Sequence, residues 1–501
     1  MSESGHFPLP PPQPPPTPRA AASVVLWRPG PRGLELFLVR RGATQRFAPG
    51  FSAFPGGRRD PEDAAVPVHR PGPSAPADLA CAARELFEEA GVLLVTGRPR
   101  PAIELVAHRT RLLAGQVGFA ELLRELDAEV DGPRFVEGGR WVTPEFYAIR
   151  FDALTYLVEW RDGETPEVWP GELDDGAWTS AAGALDDWSR GARLFLPPNL
   201  WPIRVLARGP SPDLEALRHP APAAFRIEYQ QGIWQLPLRT PTLPPAAHTN
   251  CWILDLGNRL AVVDPGSPDP AEQARLDRFL DTLAAEGRPA RELWLTHGHL
   301  DHVGGVAALS ARGLTIRAHR DIAPRLPGLL FKPLRDGELL GGRYGVHFTP
   351  GHARDHVVFH DEETGALLVG DMLSTLSTVV IDPPEGDMAE YERQLERLVR
   401  LAPGTLYPAH GQPAAHGVAA LRAYLAHRAE RELKIVAALD LPGTLAEVTA
   451  RAYADVPPEV WPVAERSGLA VLRKLEAQGR AEERDGRWRL SAAPSAAPPA
   501  P

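Results

Sequence analysis

The chain has 501 residues, 44% of them hydrophobic and 24% charged, with a formal net charge of −10, which is room for two to four separately cored domains. The acidic balance is opposite to the usual footprint of a nucleic-acid binder, and no run approaches the ~18 consecutive apolar residues of an ordinary membrane span. Two cysteines, Cys81 and Cys251, fall in different predicted domains and exclude a disulfide framework.

Residues 1–19 are dominated by proline and lack the apolar stretch of a secretion signal, so they are expected to be a disordered tail, with the protein expected in the cytoplasm. Lysine occurs only at Lys332, Lys434 and Lys474. The abundance of arginine is therefore a composition bias and not a binding surface.

Arg84-Glu85-Leu86-Phe87-Glu88-Glu89-Ala90-Gly91-Val92 is the first segment that carries chemistry. At about 100° per residue, Leu79, Ala83, Leu86 and Ala90 make one apolar stripe, with Glu85, Glu88 and Glu89 on the far side. Like charges at these spacings repel, so a cation or Arg84 must offset them. Carboxylate oxygens favour Mg²⁺ or Mn²⁺.

With Phe54-Pro55-Gly56-Gly57 upstream, the segment resembles the Nudix hydrolases, which cleave a diphosphate linked to a nucleoside or similar group. The resemblance spans residues 20–205 and implies an α/β/α sandwich. It also implies Glu85, Glu88 and Glu89 as metal ligands, with Glu85 as the catalytic group that helps deprotonate water. Trp141-Val142-Thr143-Pro144, Arg150-Phe151-Asp152 and Val92-Leu93-Leu94 are similar to the coenzyme A diphosphatase branch, implying a nucleotide or coenzyme A-type substrate. One departure is visible. The family's further Glu, eight residues before Arg84, is here Pro76, and residues 58–77 read as an insertion.

Residues 206–224 are rich in proline and charge without periodicity and are expected to be a linker. A second domain is expected over 225–425. In it, the apolar run Leu293-Trp294-Leu295 leads into His297-Gly298-His299-Leu300-Asp301-His302, with four ligand-type residues in six positions. An extended segment turns alternate side chains to one face, so His297 and His299 can meet one ion while Asp301 and His302 turn to a second. His352, Asp371 and His410 each follow a strand-like run, where loop ligands are held by a rigid sheet. Imidazole and carboxylate together suit zinc, with iron or manganese as replacements.

These residues resemble the metallo-β-lactamase-fold hydrolases, which implies an αββα sandwich. The resemblance implies that His297, His299 and His352 hold one metal, that Asp301, His302 and His410 hold the other, and that Asp371 bridges. Asp301 is the expected catalytic residue. Two metals lower the pKa of a bound water and polarise the oxygen it attacks, which predicts cleavage of an ester or phosphodiester bond by metal-bound hydroxide. Asp264, ending the run 260–263, reads as an orienting group or turn former and not as a ligand. His319, His347, His356 and His360 read as structural or rim residues, with His356 the best of them for substrate contact.

Residues 418–439 predict a helix broken by Pro442-Gly443. Helices over 445–453 and 460–478 follow, then a hairpin turning at Asp485-Gly486. Residues 426–490 thus suggest a winged helix, and 491–501 a second disordered tail. Ala464-Glu465-Arg466 and 471–476 resemble the C-terminal module of the endoribonuclease-like branch, implying a single-stranded RNA or other phosphodiester substrate. Residues 426–490 contain eleven Lys/Arg and eleven Asp/Glu, however, and so have no net attraction for phosphates; a packing or dimerisation role fits equally. The expected whole is a two-centre metal hydrolase carrying two Zn²⁺ (or Fe or Mn) and Mg²⁺ or Mn²⁺, and acting without a membrane. The alternatives are a thioesterase of the glyoxalase II kind in the second domain, or a nucleotide-sensing DNA-binding regulator.

Overall fold

The computed structural model describes residues 14–45, 47–97, 101–160, 166–169 and 171–491. The expected disordered tails lie largely outside these residues. Contacts divide the chain into one compact unit over Pro11–Gln235 and another from Leu236 onward, so the division falls inside the strand Ile233–Arg239.

The first unit is built on a mixed sheet in the order Ser52–Ala53, Gly33–Arg41, Arg19–Gly30, Phe151–Glu159, Val136–Val142. Arg19–Gly30 pairs in parallel with Phe151–Glu159 and antiparallel with Gly33–Arg41 and Gly56–Arg58. Helix Pro76–Ala90 ends where Gly91 takes φ of 69°, a left-handed conformation that costs glycine little. The expected stripe of Leu79, Ala83, Leu86 and Ala90 is buried, at most 1% exposed. Residues 206–224, expected as a linker, carry the short helix Leu214–Arg218, with Leu217 and Ala224 in one apolar cluster with Leu200 and Trp201. A few apolar side chains among prolines and charges make no periodic signal, which is why the sequence reads there as irregular.

The second unit is an αββα sandwich. One sheet runs through Ile233–Arg239, His248–Asp255, Leu260–Val263, Ala290–Trp294, Thr315–Ala318 and Phe331–Pro333; the other is ordered Leu339–Leu340, Tyr344–Phe348, Val357–Asp361, Leu367–Gly370, Leu406–Pro408. Leu260–Val263, Ala290–Trp294 and Thr315–Ala318 are parallel neighbours and nearly free of charge on their buried faces, as strands covered on both sides must be. Candidate ligands follow the carboxyl ends of Ala290–Trp294, Leu367–Gly370 and Leu406–Pro408.

The C-terminal module follows the expected order: helix Gly417–Ala438, helix Leu445–Ala452, helix Trp461–Ala477, then strands Ala481–Arg484 and Arg487–Leu490. Thr444 and Glu447 form a capping box that starts the middle helix. Asp485 and Gly486 both take positive φ (53° and 73°), the geometry a two-residue hairpin turn requires. Val448, Val471, Leu472, Leu475 and Trp488 belong to one apolar cluster with Tyr391, Leu395, Leu398 and Leu421, so the module is packed into the second unit's core. Among the described residues no helix is long and apolar enough to cross a membrane.

Candidate functional site

Seven side chains that the sequence singled out converge at the strand ends of the second unit. Donor atoms of His297, His299 and His352 lie within 4.8 Å of one another, as do those of Asp301, His302 and His410. Asp371 lies between the two sets, with one carboxylate oxygen 3.4 Å from His352 Nε2 and the other 3.5 Å from His410 Nε2. His297 and His299 extend from strand Ala290–Trp294 as alternation predicts. Asp301 and His302 instead occupy a helical turn, Leu300–Val303, that begins at His299.

Outward bonds fix the imidazoles. His352 Nδ1 donates to the Val380 carbonyl at 2.9 Å, and His410 Nδ1 to the His248 carbonyl at 2.9 Å. His302 Nδ1 lies 2.9 Å from Asp264 Oδ2. The Thr296 hydroxyl donates to the same carboxylate at 2.7 Å, so it accepts from His297 Nδ1 at 3.0 Å. Each of these four rings therefore spends Nδ1 on an outward partner and turns Nε2 inward. The inward atoms crowd: His299 Nδ1 sits 2.9 Å from His297 Nε2 and 3.0 Å from His352 Nε2. A proton on His299 Nδ1 can satisfy one of these contacts as a hydrogen bond, whereas a cation among the three nitrogens would satisfy all of them. His302 Nε2 and Asp371 Oδ1 are buried without a hydrogen-bond partner. Nitrogen and carboxylate donors of this number and closeness fit a pair of zinc-class ions.

Electrostatics agree with a cation site. Burial, then the neighbouring imidazoles, hold His297 well below its ordinary pKa, and burial brings His352 down to about 4; both are then neutral, as a ligand must be. Burial opposes charge on His302 and His410 too, but Asp301 and Asp371, with Asp264 beside His302, outweigh it and raise both rings above their ordinary value. A metal ion would take over the proton's role beside those carboxylates.

Asp264 is 2% exposed and touches Thr296 and His302 alone of the set, the arrangement of a group that orients ligands. Asp264→Asn should weaken metal affinity by about 10–100-fold, read by zinc titration against a competing chelator; equal affinity would remove the orienting role. His356, read as a structural or rim residue and as the best of those histidines for a substrate contact, is fully buried: its Nδ1 meets the Thr349 hydroxyl at 2.8 Å and its Nε2 accepts from the Asp371 backbone N–H at 3.1 Å. It braces the Asp371 loop from behind, and no sequence pattern distinguishes that from a position on the cavity side.

A cavity of about 840 Å³ opens over the centre, lined by His299, Asp301, His352, Asp371 and His410. Its far wall comes from the C-terminal module, through Tyr453, Val456, Val460, Val463 and Ser467. No local pattern announces this wall, because the module lies more than forty positions beyond His410 at those residues.

In the first unit, Glu85, Glu88 and Glu89 share helix Pro76–Ala90 under the Gly56-Gly57 strand. A Cβ on Gly57 would fall 2.5 Å from the Glu85 carboxylate, so only glycine leaves room for it. Glu89 accepts from the Gly56 N–H at 2.8 Å. Burial pushes Glu85 up to about 7 and Glu89 up to about 8. Such a set fits a hard divalent ion by donor chemistry, although the three do not form one of the tight donor groups found among the described residues.

Sequence reasoning missed Asp63. Arg84 Nε donates to its Oδ1 at 2.8 Å and Nη2 to its Oδ2 at 3.0 Å, while Arg84 Nη1 reaches Glu85 at 2.7 Å and Glu88 at 3.4 Å. Asp63 thus supplies, from inside the insertion, an acid that holds the arginine while Pro76 merely starts the helix. Asp60-Pro61-Glu62-Asp63 carried the available signal: Asp63 Oδ2 accepts from the Asp60 N–H at 2.8 Å, closing a capping box on the turn Pro61–Ala65.

Comparison with known proteins yields two family matches: "Metallo-beta-lactamase superfamily" over residues 244–410 and "Beta-lactamase associated winged helix domain" over 444–488. A Drosophila melanogaster protein described as a beta-lactamase-like protein 2 homolog is 30% identical over 251 residues, covering 46% of this chain and 83% of the relative. Among solved structures, a metallo-beta-lactamase family protein from Thermus thermophilus is 25% identical, with a TM-score of 0.45, covering 52% of this chain and 98% of that one. A NUDIX hydrolase from Alicyclobacillus acidocaldarius is 31% identical, with a TM-score of 0.36, covering 40% of this chain and 96% of that one.

Proposed function

Because the chain belongs to the metallo-β-lactamase superfamily and carries that fold's hydrolase domain followed by its associated winged helix, we propose a two-centre hydrolase whose main centre is binuclear. His297, His299 and His352 hold one ion, Asp301, His302 and His410 the other, and Asp371 both. The ions are two Zn²⁺, with iron or manganese as substitutes. When bound they lower the pKa of water and polarise the oxygen under attack. The chain's own part is to fix that geometry: the Asp301 carboxylate, 3.4 Å from His410 Nε2, lines the cavity and, despite its burial, is lowered to about 2 by His302 and His410, so it stays ionised to ligate and to orient the attacking water.

The observation that carries this reading is the convergence of imidazole nitrogens in which four rings, His297, His302, His352 and His410, have Nδ1 held outward and Nε2 turned inward. The bond cleaved is an ester, thioester or phosphodiester. Val456, Val460 and Val463 give the cavity an apolar stretch that favours a substrate with an apolar portion, while Arg431 and Arg466 line it beside them and suit an anionic group on the same substrate.

In the first unit, the reading is a Nudix centre in which Glu85, Glu88 and Glu89 hold Mg²⁺ or Mn²⁺ and a nucleotide or coenzyme A diphosphate is cleaved. Glu85, brought by burial to about 7, is poised to take a proton from water near neutral pH. The test is to assay the purified protein against a phosphodiester, a thioester and coenzyme A. Glu88→Ala should lower coenzyme A cleavage by about a hundredfold or more while leaving the other two within about twofold. Retained coenzyme A cleavage in that variant would overturn the first-unit assignment and leave the binuclear one standing.

A further inference from the structure

His347, His360 and Glu362 gather on the second sheet of the sandwich, and none of them lines the cavity over the candidate binuclear centre. Strands Tyr344–Phe348 and Val357–Asp361 are antiparallel, with Gly345 opposite His360 and His347 opposite Val358. His347 and His360 therefore stand diagonally on one face, their rings 5.6 Å apart. Glu362 follows the second strand and bends back, placing Oε1 3.4 Å from His360 Nδ1. One donor atom from each of the three lies within 4.8 Å of the others.

Two further observations point into the middle of this group. His347 Nε2 is buried with no hydrogen-bond partner, and a buried polar atom left unmatched costs free energy that a ligand would recover. Gly345 has no side chain under the group: a Cβ there would fall 2.6 Å from Glu362 Oε1 and 3.7 Å from His347 Nε2. The His360–Glu362 contact alone does not account for the orphaned nitrogen of His347. Burial, and then the nearby Arg397, hold His347 below its ordinary pKa and so in the neutral form that ligates.

We propose that His347, His360 and Glu362 form a third, peripheral site for a single zinc-class divalent ion, with Glu362, half exposed, on the open side where water completes the coordination. Two imidazoles and a carboxylate are donors that Zn²⁺, Co²⁺ and Ni²⁺ accept, while Mg²⁺ and Ca²⁺ prefer all-oxygen sets. Ligation through Nε2 places the ring proton on Nδ1, beside Arg397 Nη2 at 3.4 Å. Arg397 can yield that contact, because its other nitrogen is held by the Phe348 carbonyl at 2.8 Å and Asp336 lies 3.5 Å away.

The test counts zinc in the full chain. Wild type and the variants His360→Gln, Glu362→Gln and Gly345→Ala are dialysed against buffered ZnCl₂ and bound zinc per chain is measured by elemental analysis. Each variant should hold one zinc fewer than wild type, Gly345→Ala because its methyl group enters the space between the donors. Hydrolysis by the binuclear centre should stay within about twofold, which separates this site from that one whatever number of ions the latter holds. Glu362 is exposed, so its variant should fold normally, and its Co²⁺-loaded form should lose part of the visible d–d absorption. Equal zinc content in wild type and Glu362→Gln would overturn the proposal, as would loss of hydrolysis in step with loss of zinc.

Discussion

Replacing Asp371 with Ala should lower hydrolysis by the proposed binuclear centre about a thousandfold or more. Metal-ion stabilisation of the transition state is worth several kcal/mol, and each ~1.4 kcal/mol is tenfold in rate. Asp371 is the one carboxylate placed against both halves of the cluster, 3.4 Å from His352 Nε2, 3.5 Å from His410 Nε2 and 3.7 Å from His302 Nε2. Its removal leaves two groups of nitrogen donors with nothing to hold two cations close together, so bound metal should fall along with turnover. Circular dichroism should be unchanged, because the backbone N–H of residue 371 still meets His356 Nε2. Coenzyme A cleavage should also be unchanged, since the carboxylates assigned to it lie in the other unit. Full thioester and phosphodiester turnover in Asp371→Ala would remove the bridging role.

The second large effect is expected at Asp63. Its side chain is 2% exposed and forms a two-pronged pair with Arg84, itself only 10% exposed. Removing one partner of a buried pair costs about 3–5 kcal/mol where the other charge is left alone. Arg84 keeps Glu85 and Glu88 within 2.7 and 3.4 Å, so the cost here should fall in the lower part of that range. Asp63→Ala should therefore lower the first unit's unfolding midpoint by roughly 10 °C, measured by calorimetry. Arg84 would then be free to close on Glu85 and Glu88, which it already touches, and would compete with a metal for them. Coenzyme A cleavage should fall, and the Mg²⁺ concentration giving half-maximal rate should rise, while the binuclear centre keeps its activity. A variant with an unchanged midpoint and unchanged Mg²⁺ dependence would show that Asp63 does not position this centre.

Local order was readable wherever the determining residues are neighbours in the chain. His297, His299, Asp301 and His302 stand within six positions, and Asp485-Gly486 lies between two short alternating runs; each pattern carries its geometry with it. The helix Pro76–Ala90 declared its buried stripe through period alone. Where the partner is remote and its residue type common, no such reading is available. Asp63 is one acid among 64 acidic residues, and nothing local marks it as the partner of Arg84. His356 has the same composition signal as His352, yet one ring sits behind the Asp371 loop and the other faces the cavity.

The order of residues was enough to say which donor types are present, which short elements carry them, and that the tail forms helices and a hairpin. Three-dimensional packing was needed to learn which donors meet, which acid holds Arg84, and that the C-terminal module walls the cavity. His299 meets His352 across 53 residues and Arg84 meets Asp63 across 21. Such contacts depend on how sheets and helices stack, and stacking is set by buried apolar surface summed over the whole unit, a quantity no single segment encodes.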